Sequence, residues 1–480
     1  EVTVMRSLVF CLLTALVSAH SAKSCGFARD RGDKPNIVMI ISDDQTYTDF
    51  GFMGNTQVQT PNLDRLAAQS ARYVNGYVPS SVCRPSLVTL LTGLYPHQHG
   101  VHFNHPPPGF AKLTKSPEIG KQEFDELRER ATSFVKQVPT LPRLPAANGY
   151  RCFQTGKYWE GHWRHAGFTE GMTTAEPSGG KYGDKVLVNG DVVAHGNGDH
   201  GLAIGRETMQ PIDDFIDDCG DVPFMVWYAP FLPHTPHDSP KEYFDRYEGQ
   251  NDLPKHRVPY YAAISQFDDT VGDIVEAVER RGLARNTLFL FVVDNGWEPD
   301  ANRYIASQNE WDHTKRSKRA PFDYGLRTPI LIRWDGETRP VTHTELVSSI
   351  DIVPTLLSAT GITADDVALP GVNLMPSARG EGALSAGRAV FGEIYPGDAT
   401  TFKNPDRDIA YRWVRQGNLK LITIHPHGKA PAWNDYLRGD ALFDVAADPE
   451  EVHNLIDLPA YASNVLHLRS LLDSWWLPAE

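Results

Sequence analysis

Two continuous apolar runs, residues 36–42 (NIVMIIS) and 287–293 (TLFLFVV), set the architecture this chain can adopt. Neither alternates with polar residues, so each reads as a strand covered on both faces, which requires a mostly parallel sheet with helices on either side. Helical spacing of apolar residues appears over 61–71, 85–91, 262–281 and 346–359, and shorter apolar runs at 224–228 and 329–332 supply further strands. Strands alternating with helices in this way predict a layered α/β domain. Beyond about residue 400 the pattern changes: short strands over 411–414, 419–424 and 441–445 are separated by Gly, Pro and Asn, and predict a small antiparallel sheet. Helical spacing over 464–476 predicts a helix packed on it. Asn189-Gly190, between apolar arms, predicts a two-residue hairpin. The following GNGDHG, residues 196–201, matches a dinucleotide-binding pattern, but no strand–helix unit surrounds it, so a hairpin loop is the better reading.

Arg6, the apolar run 8–17 and the small residues Ser18, Ala19, Ser21 and Ala22 read as a signal peptide over residues 1–22. The run falls short of the ~20 residues of a membrane helix, so the expectation is an exported protein, periplasmic or secreted, with no membrane span. Cys25, Cys83, Cys152 and Cys219 then remain, too sparse for a disulfide framework and never in C-x-x-C spacing, leaving two bridges or free thiols open. The 46 basic and 60 acidic side chains give a net charge of −14 with no Lys/Arg-rich run, which argues against a nucleic-acid partner.

Asp43 and Asp44 follow the first run directly, and Asp294 and Asn295 follow the second. Ligands of open α/β sheets gather at strand carboxyl ends, so these four residues form a candidate cage for calcium or magnesium. A divalent cation would offset the repulsion among the carboxylates; separate turn caps are the competing reading. Cys83 opens the helix whose first turn holds Pro85, where free amides and the dipole favour a thiolate or a bound oxyanion; a buried inert cysteine is the alternative. His97, His99, His102 and His105 cluster without a zinc-like setting and are read as structural or as part of a substrate rim.

Residues 83–93, CRPSLVTLLTG, match the signature C-x-P-S-R-x-x-x-L-T-G at Cys83, Pro85, Ser86, Leu91, Thr92 and Gly93. With N-I-V-x-I-x-x-D-D at 36–44, T-P-N-L-D-x-L-A at 60–67, TGLYPHQHG at 92–100, Gly156-Lys157, Pro233-His234, Asp294-Asn295-Gly296, Lys318, and Leu442-Phe443-Asp444 with Asp448-Pro449 and Asn454-Leu455, the chain resembles the type I sulfatases of the alkaline phosphatase superfamily. The resemblance implies an alkaline phosphatase-like α/β/α sandwich with a mostly parallel sheet, over residues 33–398, and a C-terminal antiparallel-sheet subdomain with a helix, over 399–480. It implies a sulfuric ester hydrolase that releases sulfate, from sulfated carbohydrates, and Cys83 oxidised to formylglycine by a maturation enzyme. One calcium would be held by Asp43, Asp44, Asp294, Asn295 and the modified Cys83. Lys157 and Lys318 would grip sulfate oxygens, and His234 would assist the leaving group. Taken alone, these three side chains read as surface or loop groups.

Two positions depart from the family. Leu87 stands where the signature has arginine, and Arg84 is the candidate replacement for that cation. Trp159 stands where the family has histidine, with Glu160, His162 and His165 as neighbouring candidates to replace it. A phosphomonoester or phosphodiester hydrolase of the same superfamily, and a glycan-binding relative without turnover, are the alternative readings.

Overall fold

The computed structural model describes residues 34–178, 184–194, 200–297, 316–364, 367–395, 399–425 and 437–479. Its larger sheet is built around six strands: β1 (Asn36–Ser42), β2 (Ala71–Tyr77), β3 (Arg151–Gly156), β4 (Phe224–Ala229), β5 (Thr287–Val293) and β6 (Arg327–Trp334). They lie in the order β2-β6-β5-β1-β4-β3, with two-residue strands Thr342–His343 and Val347–Ser348 on β2 and Glu170–Gly171 on β3 completing nine. β1 pairs in parallel with β4 and β5, and β3 with β4, whereas β6 runs antiparallel to both neighbours, so the sheet is mostly parallel.

Burial alternates along β1 between two apolar layers, which explains why its sequence is apolar at every position. Ile37, Met39 and Ile41 pack with Leu87, Leu90 and Leu356 on one face. Val38 and Ile40 pack with Leu63, Phe215, Phe267 and Val271 on the other. The first layer rests on helices α2 (Cys83–Thr92) and Ile352–Thr360, the second on α1 (Pro61–Ala68), Gln210–Cys219 and α3 (Val258–Arg280). The α/β/α sandwich expected from the sequence is therefore present. Helix α1 ends before the expected residue 71, because Ala71 already belongs to β2.

The second sheet is antiparallel, in the order Ala389–Ile394, Tyr411–Gln416, Leu419–Ile424, Ala441–Asp444. Helix Ala462–Trp475 covers it, setting Leu468 and Leu472 against Val414, Leu421 and Leu442. The first strand of this sheet lies upstream of residue 399, so the sheet draws a strand from the sequence assigned to the larger domain. Lys420 is buried between the carboxylates of Asp323 and Glu451, at 2.8 Å from each, and ties the small sheet to the segment that leads into β6.

The hairpin forms at Lys185–Val186 and Val192–Val193, with Gly190 at φ +91° in its turn. The signal-peptide segment, Cys25 and most of GNGDHG lie outside the described residues. Cys83, Cys152 and Cys219 are buried free thiols, so no bridge forms among the described cysteines. Among the described residues, no helix is long and apolar enough to cross a membrane.

Helices α1 and α3 cross closely. Gly272 makes this possible, since a Cβ there would lie 2.7 Å from the Asn62 side-chain oxygen. One turn away, Asp268 accepts hydrogen bonds from the Asn62 and Leu63 amides at 2.9 and 2.7 Å and caps α1. Burial pushes the Asp268 carboxyl up to about 7, against the pull of those amides. A carboxyl raised on folding stabilises the protonated form. Its contribution is complete below its unfolded value near 3.8 and is lost as pH rises through about 7. The thermal stability of wild type relative to Asp268→Asn should therefore fall as pH rises across that window; a constant difference in pH-dependent melting would contradict this.

Candidate active site

Five strand ends meet at one edge of the large sheet. Ser42 of β1 lies opposite Val293 of β5, so Asp43 and Asp294 emerge at the same level, and the Asp294 amide donates to the Ser42 carbonyl at 3.0 Å. After β1 the chain turns sharply at Asp44, whose φ of +61° is a left-handed conformation that aspartate tolerates better than most residues. Gln45 fixes that turn by accepting from Ser42 Oγ at 2.6 Å and donating to the Asp49 carbonyl at 2.8 Å. Lys157 follows β3, and its amide extends the ladder to the Ala229 carbonyl of β4. His234 lies in the loop after β4. Lys318 precedes β6, and because β6 runs antiparallel, that segment enters from the same edge.

The side chains converge on Asp44. Its Oδ1 accepts from Asn295 Nδ2 at 2.6 Å and from the Cys83 thiol at 3.7 Å. Its Oδ2 accepts from Lys318 Nζ at 2.6 Å and lies 3.3 Å from His234 Nε2. The Asp44 amide donates to Asp294 Oδ1 at 3.0 Å. Lys157 Nζ donates to Asp43 and lies 3.7 Å from Asp294 Oδ2. Ser86 Oγ, one turn into α2, donates to the Asp294 carbonyl at 2.5 Å and fastens the cysteine-bearing helix to β5. The imidazole of His234 stacks on Phe231, with ring centres 4.2 Å apart, and Lys157 Nζ lies 5.7 Å from the same ring. Nothing in the sequence marks Phe231 for this role; it is one apolar residue in a loop.

Burial dominates the electrostatics. It pushes the Asp43 carboxyl well above its usual range despite Lys157, and raises Asp294 as well. Asp44 is also fully enclosed, yet Lys318 and Lys157 outweigh that effect and hold its carboxyl below the usual value. Burial alone would lower Lys157; Asp43 and its neighbours hold it up. Burial also pushes the Cys83 thiol up, against the pull of Lys157 and Lys318, and so works against the thiolate that the helix N-terminus would favour.

Among the described residues, three carboxyl groups and two lysine ammonium groups are buried together here. Asp43 Oδ2, Asp294 Oδ2 and Asn295 Oδ1 are buried with no hydrogen-bond partner. An all-oxygen set lacking donors fits a hard divalent cation. Ligand atoms of Asp43, Asp44, Cys83 and His234 also lie within 4.8 Å of one another, making this the cluster among the described residues best able to hold a metal. The four histidines do not form a second one. His97 pairs with Glu393 at 2.9 Å, His102 with Asp408 at 2.9 Å, and His99 with Thr89 at 3.3 Å, which are packing contacts.

Arg84 does not join the cluster. It is fully buried and meets Glu160 through two bonds, Nε to Oε1 at 2.5 Å and Nη2 to Oε2 at 2.8 Å, while Nη2 also donates to the Ala131 carbonyl at 3.0 Å. The guanidinium lies over the Phe103 ring at 4.7 Å. One residue along a helix is a rotation of about 100°, so position 84 leaves the face that position 83 presents. Arg84 is therefore not the replacement cation in the reacting site that its position in the sequence suggests. Leu87 faces the apolar layer beneath β1, and Trp159 packs in the same layer. Glu160 is paired with Arg84, His162 accepts from the Arg164 amide at 3.2 Å, and His165 lies 3.3 Å from Glu129, so none of the three contacts the Asp43–Asp44–Lys318 cluster. Removing one member of a buried pair leaves an uncompensated charge, at a cost of about 3–5 kcal/mol. Glu160→Ala should lose stability of that order in urea unfolding, and Arg84→Met/Glu160→Met should recover most of it; equal losses would show the pair is not what matters.

The sulfatase family matches residues 35–362, and the C-terminal region of the N-sulphoglucosamine sulphohydrolase family matches residues 311–475. Arylsulfatase A of Bos taurus is 30% identical over 488 residues, covering 93% of this chain and 87% of that protein. Two solved structures share the fold at 18% identity. BT4656 in complex with its substrate D-glucosamine-2-N,6-O-disulfate superposes with a TM-score of 0.61, covering 92% of this chain and 97% of that one. A phosphonate monoester hydrolase of Agrobacterium radiobacter superposes with a TM-score of 0.64, covering 92% and 95%. With two thirds of its length matched and a curated arylsulfatase related along nearly all of it, the chain belongs to the sulfatase family, the sulfuric ester hydrolases of alkaline phosphatase-like fold.

Proposed function

We propose that this sulfatase releases inorganic sulfate from a sulfated carbohydrate, using formylglycine made from Cys83 and a calcium ion held by Asp43, Asp44, Asp294 and Asn295. The observation that carries the reading is the set of three buried oxygens without donors beside a cysteine whose sulfur lies 3.7 Å from Asp44 Oδ1. A maturation enzyme would replace the thiol by an aldehyde, whose hydrate offers a hydroxyl nucleophile. Calcium, when bound, supplies neutralisation of charge on the sulfate oxygens.

The residues of this chain do the rest. Lys157 and Lys318 bring two fixed, buried positive charges to the site, where they favour charge developing on the equatorial oxygens. His234 Nδ1 donates to the Thr235 carbonyl at 2.6 Å, which turns Nε2 toward Asp44 and Lys318. With 16% of its side chain exposed against 3% or less for the two lysines, His234 sits at the mouth, suited in its doubly protonated form to give the Nε2 proton to the departing ester oxygen. The substrate of BT4656 supports a sulfated sugar as the class. The leader over residues 1–22 would direct export, to the periplasm or the medium.

Calcium should raise the melting temperature, by an amount equivalent to about 2.7 kcal/mol at a hundredfold excess over Kd, and Asp294→Ala should abolish that response. An unchanged response would remove the ion from these residues. A phosphate ester of similar shape fits the same cage, and the likeness to a phosphonate monoester hydrolase keeps that second reading open. The matured enzyme should hydrolyse nitrophenyl sulfate in strong preference to nitrophenyl phosphate; the opposite preference would favour the second reading.

A further inference from the structure

The loop that carries His234, residues 231–238, has no regular secondary structure of its own. The Asp43 amide holds its Leu232 carbonyl at 3.0 Å and His237 rests on Tyr260, but one side chain outside it spans its whole length. Arg206 Nε donates to the Phe231 carbonyl at 2.9 Å, and Nη2 donates to the carbonyls of Pro236 at 2.9 Å and His234 at 3.4 Å. Nη1 donates to Asp238 at 2.7 Å, so the guanidinium spans the loop from its first residue to its last. Its centre also lies 5.5 Å from the Phe231 ring, the ring on which the His234 imidazole stacks.

The base of this clamp is itself fixed. Gly205 has φ +73°, and a Cβ there would meet the Tyr228 hydroxyl at 2.7 Å and the Pro230 Cβ at 2.9 Å, so the turn can press against the end of β4 only with glycine at this point. The Gly205 amide donates to the Thr208 carbonyl at 3.0 Å, and the Gly205 carbonyl accepts from Gln266 of α3 at 3.4 Å. A planar fork of five donors can hold several carbonyls in one geometry, which a lysine cannot do.

We infer that Arg206 is the positioning residue for His234: by holding three carbonyls of the loop, it fixes the imidazole plane and keeps Nε2 aimed at the Asp44–Lys318 pair. The inference deepens the proposed role of His234 and rests on it. Arg206 touches none of Asp43, Asp44, Asp294, Lys157 or Lys318, so its effect on turnover must pass through the loop.

The test is a double-mutant cycle on the matured full chain with nitrophenyl sulfate. Arg206→Ala should lower kcat by about tenfold to a hundredfold, the scale expected for a misplaced catalytic group, with KM changed less than kcat. Arg206→Lys should rescue only part of the loss. In a His234→Ala background, Arg206→Ala should cost no further turnover; an equal loss in both backgrounds, or no loss in either, overturns the inference. If His234→Ala itself keeps full turnover, the proposed role of the histidine fails, and the clamp is then judged by nitrogen-15 spectra of the histidine rings. The His234 signals, assigned by their disappearance in His234→Gln, should report protonation at Nδ1 in wild type and lose that single state in Arg206→Ala. Unchanged His234 signals would overturn the clamp irrespective of activity, and melting curves of each variant separate either result from unfolding.

Discussion

The parallel pairing of β1 with β5 is the constraint on which the site depends. Because Ser42 stands opposite Val293, the acidic pair after one strand and the Asp-Asn pair after the other arrive at one level. A slip of one residue would reverse every side chain between the two apolar layers, so the register is held by the cores on both faces and not by the site itself. The rigid sheet therefore supports a charge arrangement that would not assemble on its own. The ends of β2, β3 and β4 and the approach to β6 bring Cys83, Lys157, His234 and Lys318 to the same edge.

That arrangement is costly to bury, and its composition shows how the cost is met. Each carboxylate has a cation or an amide donor, yet three oxygens are left without donors, which is the condition a divalent ion would relieve. Burial pushes the Cys83 thiol up and disfavours a thiolate nucleophile, which is in keeping with the proposed conversion of the side chain. The chain spends its one fully buried arginine near the cysteine on Glu160, beneath the site, and fills the two departing positions with Leu87 and Trp159 in the core. Among the described residues, Lys157 and Lys318, with His234 beside them, are the basic groups that reach the cluster.

How far this was legible from sequence depends on whether a feature is local. The continuous apolar runs announced strands buried on both faces, and the residues directly after them announced the cluster. The C-terminal strands and helix were visible from their spacing. Strand β2 was not, because its burial is mixed along ARYVNGY, and β3 was not, because RCFQTG buries polar residues inside the sheet. The partner of Arg84 lies 76 residues away and carries no local mark, so the arginine looked available when it is not. The loop of His234 is likewise ordered from Arg206, 28 residues earlier, by backbone contacts that no side-chain pattern encodes.

The proposed mechanism depends first on Cys83. Mass spectrometry of the peptide carrying Cys83, from protein expressed with and without a formylglycine-generating enzyme, tests it most directly. Loss of the thiol mass and appearance of an aldehyde or its hydrate are expected in the presence of that enzyme, together with sulfate release by the modified protein. An unmodified cysteine under both conditions, in a protein that still hydrolyses sulfate esters, would contradict it.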